Sequence, residues 1–313
     1  MLFSLLILAV GVTLLFFAGD IFVKGAVGLA ENLGISPLII GLTVVAFGTS
    51  APELFTSVQA ALSGAPGLAV GNVVGSNIAN VLLVLGVPAL IYPVISNEKG
   101  LRRNLVAMLG TTAVFMWMLA GGVITRLEGA ALFAGLCAFI AWQIYDARSS
   151  GAPENHDFHD DIGEAPHDRK RVIIYLVAGV VGLPIAAQLT VAGAVRIAES
   201  FGVSDAAIGL TIVAIGTSLP ELATSVAAAL KRQSTMALGN IVGSNIFNIA
   251  CIMGLTALIT PVAVDPRIIS VDMWVMLGAS LALALLGFLR LPAGKAVGGA
   301  MLAAFAGYIA TVF

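Results

Sequence analysis

Residues 41–94 and 209–262 of this chain are two copies of one stretch. The first runs GLTVVAFGTSAPELFTSV through GNVVGSNIAN to IYPV, and the second runs GLTIVAIGTSLPELATSV through GNIVGSNIFN to ITPV. They align end to end without a gap, and more than half of the aligned positions are identical. The identities concentrate in the polar motifs, whereas a duplicated scaffold would need only its bulk to be kept. Polar residues preserved inside an apolar run point to a site. Each copy holds a single carboxylate, Glu53 or Glu221.

The surroundings of those carboxylates are a membrane protein. Of 313 residues, 59% are hydrophobic and 10% charged, with mean hydropathy +1.04; a soluble domain carries about 25% charged residues. The net charge of −2 and the lack of a basic stripe give no reason to expect a nucleic-acid partner. Cys137 and Cys251 lie in apolar segments and read as inert packing residues rather than a disulfide. The opening MLFSLLILAV has no basic n-region and no small-residue cleavage site, so it reads as a first span and not a signal peptide. Spanning hydrocarbon takes about 20 apolar residues in a helix. Charged or Gly/Pro clusters divide the chain into ten such segments: 3–27, 37–62, 69–93, 104–122, 127–146, 171–197, 205–230, 236–260, 270–290 and 293–312. Backbone polar groups find no water in lipid, so these runs must be helices.

Basic residues set the orientation. With the N-terminus outside, the inner loops hold Lys99, Arg102, Arg103, Arg148, Arg169, Lys170, Arg171, Lys231, Arg232, Arg290 and Lys295, against only Arg126 and Arg267 outside. That asymmetry follows the positive-inside rule and places both termini outside. Each half holds five spans, an odd number, so equivalent segments enter the membrane from opposite sides. The similarity also extends upstream, from Ala30–Ser36 to Ala198–Ser204. The expected fold class is therefore an all-α polytopic membrane protein of two inverted five-helix repeats, an architecture of secondary transporters that bind substrate between the halves. The first repeat covers 1–147 with its core at 37–94, and the second covers 171–313 with its core at 205–262. The linker 148–170 is acidic and polar and holds all three histidines, His156, His159 and His167. Nothing fixes ligand geometry there, so it reads as a solvated loop.

Pro52 and Pro220 lack the N–H that would bond the carbonyls of Gly48 and Gly216, so each interrupts its helix. In lipid such a break is tolerated where freed backbone faces protein or a polar cavity. The breaks thus set carbonyl oxygens beside Thr49, Ser50 and Glu53, and beside Thr217, Ser218 and Glu221. Beyond the first break, Glu53, Thr56 and Ser57 share a face at i, i+3 and i+4. An ionised Glu at this depth costs several kcal/mol unless paired. The motif spans offer no buried base, and two facing carboxylates need a cation between them.

The next span adds neutral oxygens. Asn72, Ser76 and Asn80 lie at i, i+4 and i+8 on one face, and Asn240, Ser244 and Asn248 repeat them. Gly71, Gly75, Gly239 and Gly243 form small-xxx-small patterns for close helix approach. Asn77 and Asn245 point off that face and read as interhelical hydrogen-bonding residues. The collected donors are all oxygen, which selects hard cations; two carboxylates suit a divalent ion or several monovalent ones, and Ca²⁺ fits better than Mg²⁺. Asp20 and Lys24, at i and i+4 in the first span, read as a local ion pair with Lys24 snorkelling to the inner surface. Their repeat counterparts are Gln188 and Ala192, so the pair stands outside the symmetric site.

The motifs GTSAPEL and GTSLPEL, each followed by GNxVGSNIxN, resemble the α-repeats of the cation/Ca²⁺ exchanger superfamily, and most of all its prokaryotic sodium/calcium exchangers. The resemblance covers most of both halves. It implies a ten-helix fold in which the second, third, seventh and eighth spans form a core and the first and sixth slide against it. It also implies ion ligands at Ala46, Thr49, Ser50, Glu53, Ser76 and Asn80, and at Ala214, Thr217, Ser218, Glu221, Ser244 and Asn248. The Ala and Thr residues would give mainly backbone carbonyls. Some members of the family, the potassium-dependent ones among them, carry Asp where Asn80 and Asn248 stand, which argues here against potassium co-transport.

The expected function is a secondary antiporter that exchanges Ca²⁺ for Na⁺ by alternating access and extrudes Ca²⁺. A Ca²⁺/H⁺ antiporter using the same Glu residues is the alternative, with a cation channel behind it. The proton-coupled branch of the family usually has less Ser-rich motifs. No enzyme is expected, since the membrane segments contain no histidine for a metal centre. Ca²⁺ and Na⁺ are the expected transported partners, beside the lipid, with no cofactor and no obligate protein partner.

Overall fold

Buried backbone groups in an apolar medium must find partners within their own segment, and nearly all of the described residues are accordingly helical. The structure is a computed structural model and describes residues 2–64, 66–95, 99–149, 166, 168–201 and 214–312. The first half contains α1 (Leu2–Leu33), α2 (Pro37–Thr49), α3 (Ala51–Leu62), α4 (Gly67–Ile91), α5 (Lys99–Ala120), β1 (Val123–Ile124) and α6 (Arg126–Ser149). The second contains α7 (Arg169–Ser200), α8 (Ala214–Thr217), α9 (Leu219–Leu230), α10 (Ser234–Ile259), β2 (Val262–Ala263), α11 (Ile268–Leu289) and α12 (Lys295–Val312).

Seven of these helices are long and apolar enough to cross a membrane, and the pair α2–α3, bent by 45°, makes an eighth if taken as one span. Two shorter apolar helices, α9 and α12, remain among the described residues. The protein is an all-helical, multi-pass membrane protein. The part of the expected seventh span upstream of α8, the end of the repeat's upstream extension, and most of the linker, its three histidines included, lie outside the described residues.

The repeat is visible in the backbone itself. Helices Ala51–Leu62 and Leu219–Leu230 begin and end at equivalent positions of the two copies, as do Gly86–Ile91 and Gly254–Ile259. The expected break falls two residues before each proline. Ser50 has φ −82° and ψ 6°, Ser218 has φ −87° and ψ 5°, and each new helix starts on the next residue. Pro52 and Pro220 therefore sit in a first turn, where their missing N–H would have no intrahelical partner.

The halves are also stitched together by main chain. Val94, which ends the first copy, exchanges hydrogen bonds with Ala293 at 3.0 and 2.9 Å. Its counterpart Val262, which ends the second copy, pairs in β2 with Ile124 of β1. Each copy thus closes on the other half. The expected glycine packing is present on α10, where a Cβ at Gly239 would stand 2.7 Å from the Leu38 carbonyl and one at Gly243 2.6 Å from that of Leu42. On α4, Gly71 is exposed.

Two turns differ between halves in residue but not in shape. Gly64 (φ 79°) and Gly122 (φ 77°) are left-handed, and so are their counterparts Arg232 (φ 54°) and Arg290 (φ 55°). A left-handed non-glycine residue costs about 1 kcal/mol, and a helix C′ position favours glycine. Arg290→Gly is therefore expected to raise the thermal unfolding midpoint in detergent, by relieving about 1 kcal/mol of strain. A lower midpoint would show the arginine to be unstrained.

Candidate functional site

The two breaks meet in the centre of the protein. Glu53 and Glu221 occupy the third residues of α3 and α9 and are each 1% exposed. A carboxylate in the first turn is favoured by the helix dipole. The sequences Ser50-x-x-Glu53 and Ser218-x-x-Glu221 have capping-box spacing, yet neither serine caps its own helix. Instead the Ser50 Oγ donates to the Glu221 Oε1 of the other half at 3.0 Å. Glu53 and Glu221 are close enough for their charges to repel.

Around them the expected ligand residues converge. Ala46, Thr49, Ser50, Ser76, Asn80, Ser218, Ser244 and Asn248 are all buried. Thr217 is half-buried, and the backbone of Ala214 opens the short helix before the second break. Nine buried polar atoms of this set have no hydrogen-bond partner among the described residues. They are both carboxylate oxygens of Glu53, Oε2 of Glu221, the hydroxyls of Ser76, Ser218 and Ser244, Oδ1 of Asn80, and both amide atoms of Asn248. A buried polar group left unpartnered costs about 1–3 kcal/mol, so a cluster of eight such oxygens is chemically a cation cradle. Widened turns follow both asparagines: a π-helical stretch begins at Asn248, and the Val84 N–H reaches back to the Ala79 carbonyl. Such bulges recur at functional sites.

Several side chains read from the sequence as ligands turn out to hold the helices together. Asn72 Nδ2 donates to Ser57 Oγ at 3.0 Å, and its counterpart Asn240 donates to Ser225 Oγ at 3.2 Å. Asn240 also donates to Thr224 Oγ1 at 3.1 Å and accepts from Thr49 Oγ1 at 3.4 Å. These amides fix each glutamate helix to its neighbour, and Asn240 ties in the opposite half as well. Asn77 bonds the Val73 carbonyl of its own helix at 2.7 Å, so its expected interhelical role is corrected. Asn245 does bridge helices, accepting from Asn80 Nδ2 at 3.4 Å and donating to the Met108 sulfur at 3.7 Å. The spacing of polar residues found the right faces, but only the rotamers separate ligand from clamp.

The two halves of the site are not equally enclosed. Thr224, Gly239 and Asn240 are buried, whereas their counterparts Thr56, Gly71 and Asn72 are exposed, exposed and half-buried. α1 packs along α9, and among the described residues α7 makes no comparable contact with α3. The surroundings of the cradle are therefore less covered on the α3–α4 side than on the α9–α10 side, although the site residues of both sides are themselves buried. No cluster of three His, Cys, Asp or Glu residues exists among the described residues, so neutral oxygens must complete any coordination.

The sequence profile of the family described as sodium/calcium exchanger protein matches residues 3–145 and again residues 171–313. The chain belongs to the sodium/calcium exchanger family. Several relatives match over nearly their whole length. A protein of Alkalimonas amylolytica named as a putative antiporter, CaxA, is 42% identical over 98% of both chains. The Escherichia coli inner membrane protein YrbG is 38% identical over 100% of this chain and 98% of its own. The solved structure of the sodium-calcium exchanger NCX_Mj superposes with a TM-score of 0.85 at 32% identity, over 100% of this chain and 99% of that one. Membership of a transporter family marks this exchanger relative as a transporter rather than an enzyme.

Asn240→Ala is expected to lower stability by about 1–3 kcal/mol, since it takes a partner from each of Thr49, Thr224 and Ser225. Asn72→Ala, at the half-buried counterpart, should cost less. Thermal unfolding of both variants checks the order.

Proposed function

We propose that this protein exchanges Ca²⁺ for Na⁺ by alternating access and serves to extrude Ca²⁺. The observation that carries the reading is the pair of buried glutamates, one from each half, with unpartnered oxygens turned into a cluster of hydroxyl and amide oxygens. With both carboxylates ionised the site holds two negative charges, which one Ca²⁺ balances. Oxygen donors of this kind serve Na⁺ as readily, so the two ions compete for the same atoms and their fluxes are coupled. The ligands are Ala46, Thr49, Ser50, Glu53, Ser76 and Asn80 with Ala214, Thr217, Ser218, Glu221, Ser244 and Asn248. Ca²⁺ and Na⁺ are cargo, and no resident cofactor takes part.

The architecture proposed for this exchange is ten spans in two inverted repeats, 1–147 and 171–313, joined by the linker 148–170. The bent pair α2–α3 and the pair α8–α9 then count as one span each. The inner-membrane name of YrbG and the basic-residue asymmetry support a prokaryotic inner membrane with both termini outside. In that orientation the glycine turns at Gly64 and Gly122 lie outside and the arginine turns at Arg232 and Arg290 inside. The less covered α3–α4 side of the cradle then faces outward. Exporting Ca²⁺ against 100 mV costs about 4.6 kcal/mol, at roughly 2.3 per charge, so a Na⁺ gradient must supply the work.

The deciding experiment is Ca²⁺ uptake into everted vesicles under an imposed Na⁺ gradient, compared with a pH gradient, with and without K⁺. Uptake driven by Na⁺ and indifferent to K⁺ is expected; uptake driven only by pH would make the protein a Ca²⁺/H⁺ antiporter. Glu53→Gln and Glu221→Gln should each abolish exchange while leaving folded protein in the membrane, and wild-type rates in either would sink the assignment. Because protons compete with cations for the same carboxylates, exchange should fall from about pH 8 to about pH 5.

A further inference from the structure

Asp20 stands outside the cradle and outside the repeat symmetry, and the structure gives it a second partner. Its Oδ2 lies 2.9 Å from Lys24 Nζ, as the i, i+4 spacing anticipates, but its Oδ1 lies 2.6 Å from Nζ of Lys231. Lys231 is the residue that ends α9, and its side chain is only 12% exposed. Next to the pair, α1 and α9 touch main chain to main chain: a Cβ at Gly19 would stand 3.0 Å from the Ala223 carbonyl and 3.6 Å from the Ala223 Cβ. Through this contact α1 covers α9 on the better buried side of the cradle.

α1 does not move alone. Gly179 of α7 gives room to the ring of Phe22, where a Cβ would all but overlap it, and Gly193 lies as tightly on the backbone of Leu8. Phe22 is fully buried and, with Val180 of α7, also presses on Gly48 just ahead of the first break. The two long helices form one body that rests on the broken helices. Alternating access between inverted halves moves such a body against the core. The opposite state is obtained by exchanging the roles of the two halves: α7 would then lie on α3 as α1 now lies on α9.

That exchange of roles exposes an asymmetry in charge. The counterpart of Asp20 is Gln188, and the counterpart of Lys231 is Ser63. Ser63 already donates its hydroxyl to the Gln59 carbonyl at 2.8 Å. The state seen here thus carries an ion pair across its closed side, and the opposite state has no ion pair to put at the equivalent positions. A pair shielded by a half-buried helix interface is screened less than one in open water.

We propose that Asp20 and Lys231 are positioning residues of the exchange cycle, forming an ionic latch that holds α1 on α9 and biases the protein toward the state closed on the α9–α10 side. The latch touches neither ion nor cradle. It acts on which face of the membrane the cradle is presented to. Lys24 holds the other Asp20 oxygen and keeps the carboxylate aimed when Lys231 leaves, so the latch can re-form on every cycle. This inference rests on the exchange reading, and its tests separate the two.

The first test is a Gly19→Cys/Ala223→Cys protein on a Cys137→Ser/Cys251→Ser background, whose Cβ atoms are at the spacing of a disulfide. Oxidation is expected to stop Na⁺-driven Ca²⁺ uptake and reduction to restore it, while Ca²⁺ binding from the less covered α3–α4 side persists. Undiminished uptake with the disulfide formed would overturn the proposal, because α1 would not need to leave α9. Absence of uptake in the reduced protein and in wild type would instead refute the exchange reading. The second test is Asp20→Asn and Lys231→Gln, singly and together, with apparent Ca²⁺ affinity measured from each face of reconstituted vesicles. Each variant should tighten inner-face affinity and weaken outer-face affinity by about two- to fivefold, as expected for a pair of this exposure. The double variant should go no further than either single one. Unchanged affinities at both faces would remove the ionic part of the latch.

Discussion

Two like charges buried together in an apolar medium are the constraint on which the rest of this structure depends. Among the described residues neither Glu53 nor Glu221 has a base beside it, and each costs several kcal/mol to hold ionised at that depth. Breaking the helices at Ser50 and Ser218 answers part of the cost. It aims a helix N-terminus at each carboxylate and frees hydroxyl and carbonyl oxygens that a continuous helix would have consumed. The break also lets Ser50 abandon its own helix end and reach the glutamate of the other half. Tight packing then becomes necessary around the break, which explains why glycines line the face of α10 that presses on α2 just ahead of it.

Much of this was legible in the sequence because the duplication carries its own alignment. One constant offset between the copies identified equivalent carboxylates, prolines and asparagines, and the apolar runs identified membrane helices. The resemblance of GTSAPEL and GTSLPEL to exchanger repeats supplied the expected ligand set, and the residues it names gather at the two breaks and on the helix beside each. Periodicity alone went less far. It put Asn72 and Ser57 on the right faces and then grouped them with the ligands, because a helical period specifies a direction and not a partner. Whether an amide points at a cation or at a serine on the next helix is decided by the distance between helices, which no single segment contains. The same holds for Asp20: its local partner Lys24 can be read from spacing, whereas Lys231 belongs to the other half of the sequence and meets it only because α1 lies on α9.

Pseudo-symmetry makes the differences between halves more informative than the likenesses. Where Thr224 and Asn240 are sealed, Thr56 is exposed and Asn72 half-buried, although the motifs are nearly identical. Identical local chemistry in unequal surroundings means that the enclosure comes from elsewhere, from the body formed by α1 and α7. That body is joined by glycine contacts too close to accommodate even a methyl group, so it can transmit a displacement from one end of the protein to the other without deforming. The strand pairings of Val94 with Ala293 and of Val262 with Ile124 have the complementary role of holding the remaining helices in one frame.

The left-handed turns give the two halves unequal standing. A chain assembled from two copies of the first half would have glycine at all four of these positions, and its backbone would be more relaxed at two of them. It would also lack Arg232 and Arg290, two of the charges by which a bilayer tells one end of a helix hairpin from the other. Such a chain would be closer to a molecule with no preferred way up, able to insert in either sense. By accepting a strained residue where its own duplicate has a relaxed one, the second half adds charge that distinguishes the two ends of the molecule, a means of fixing which way up it sits that a symmetric duplicate would lack.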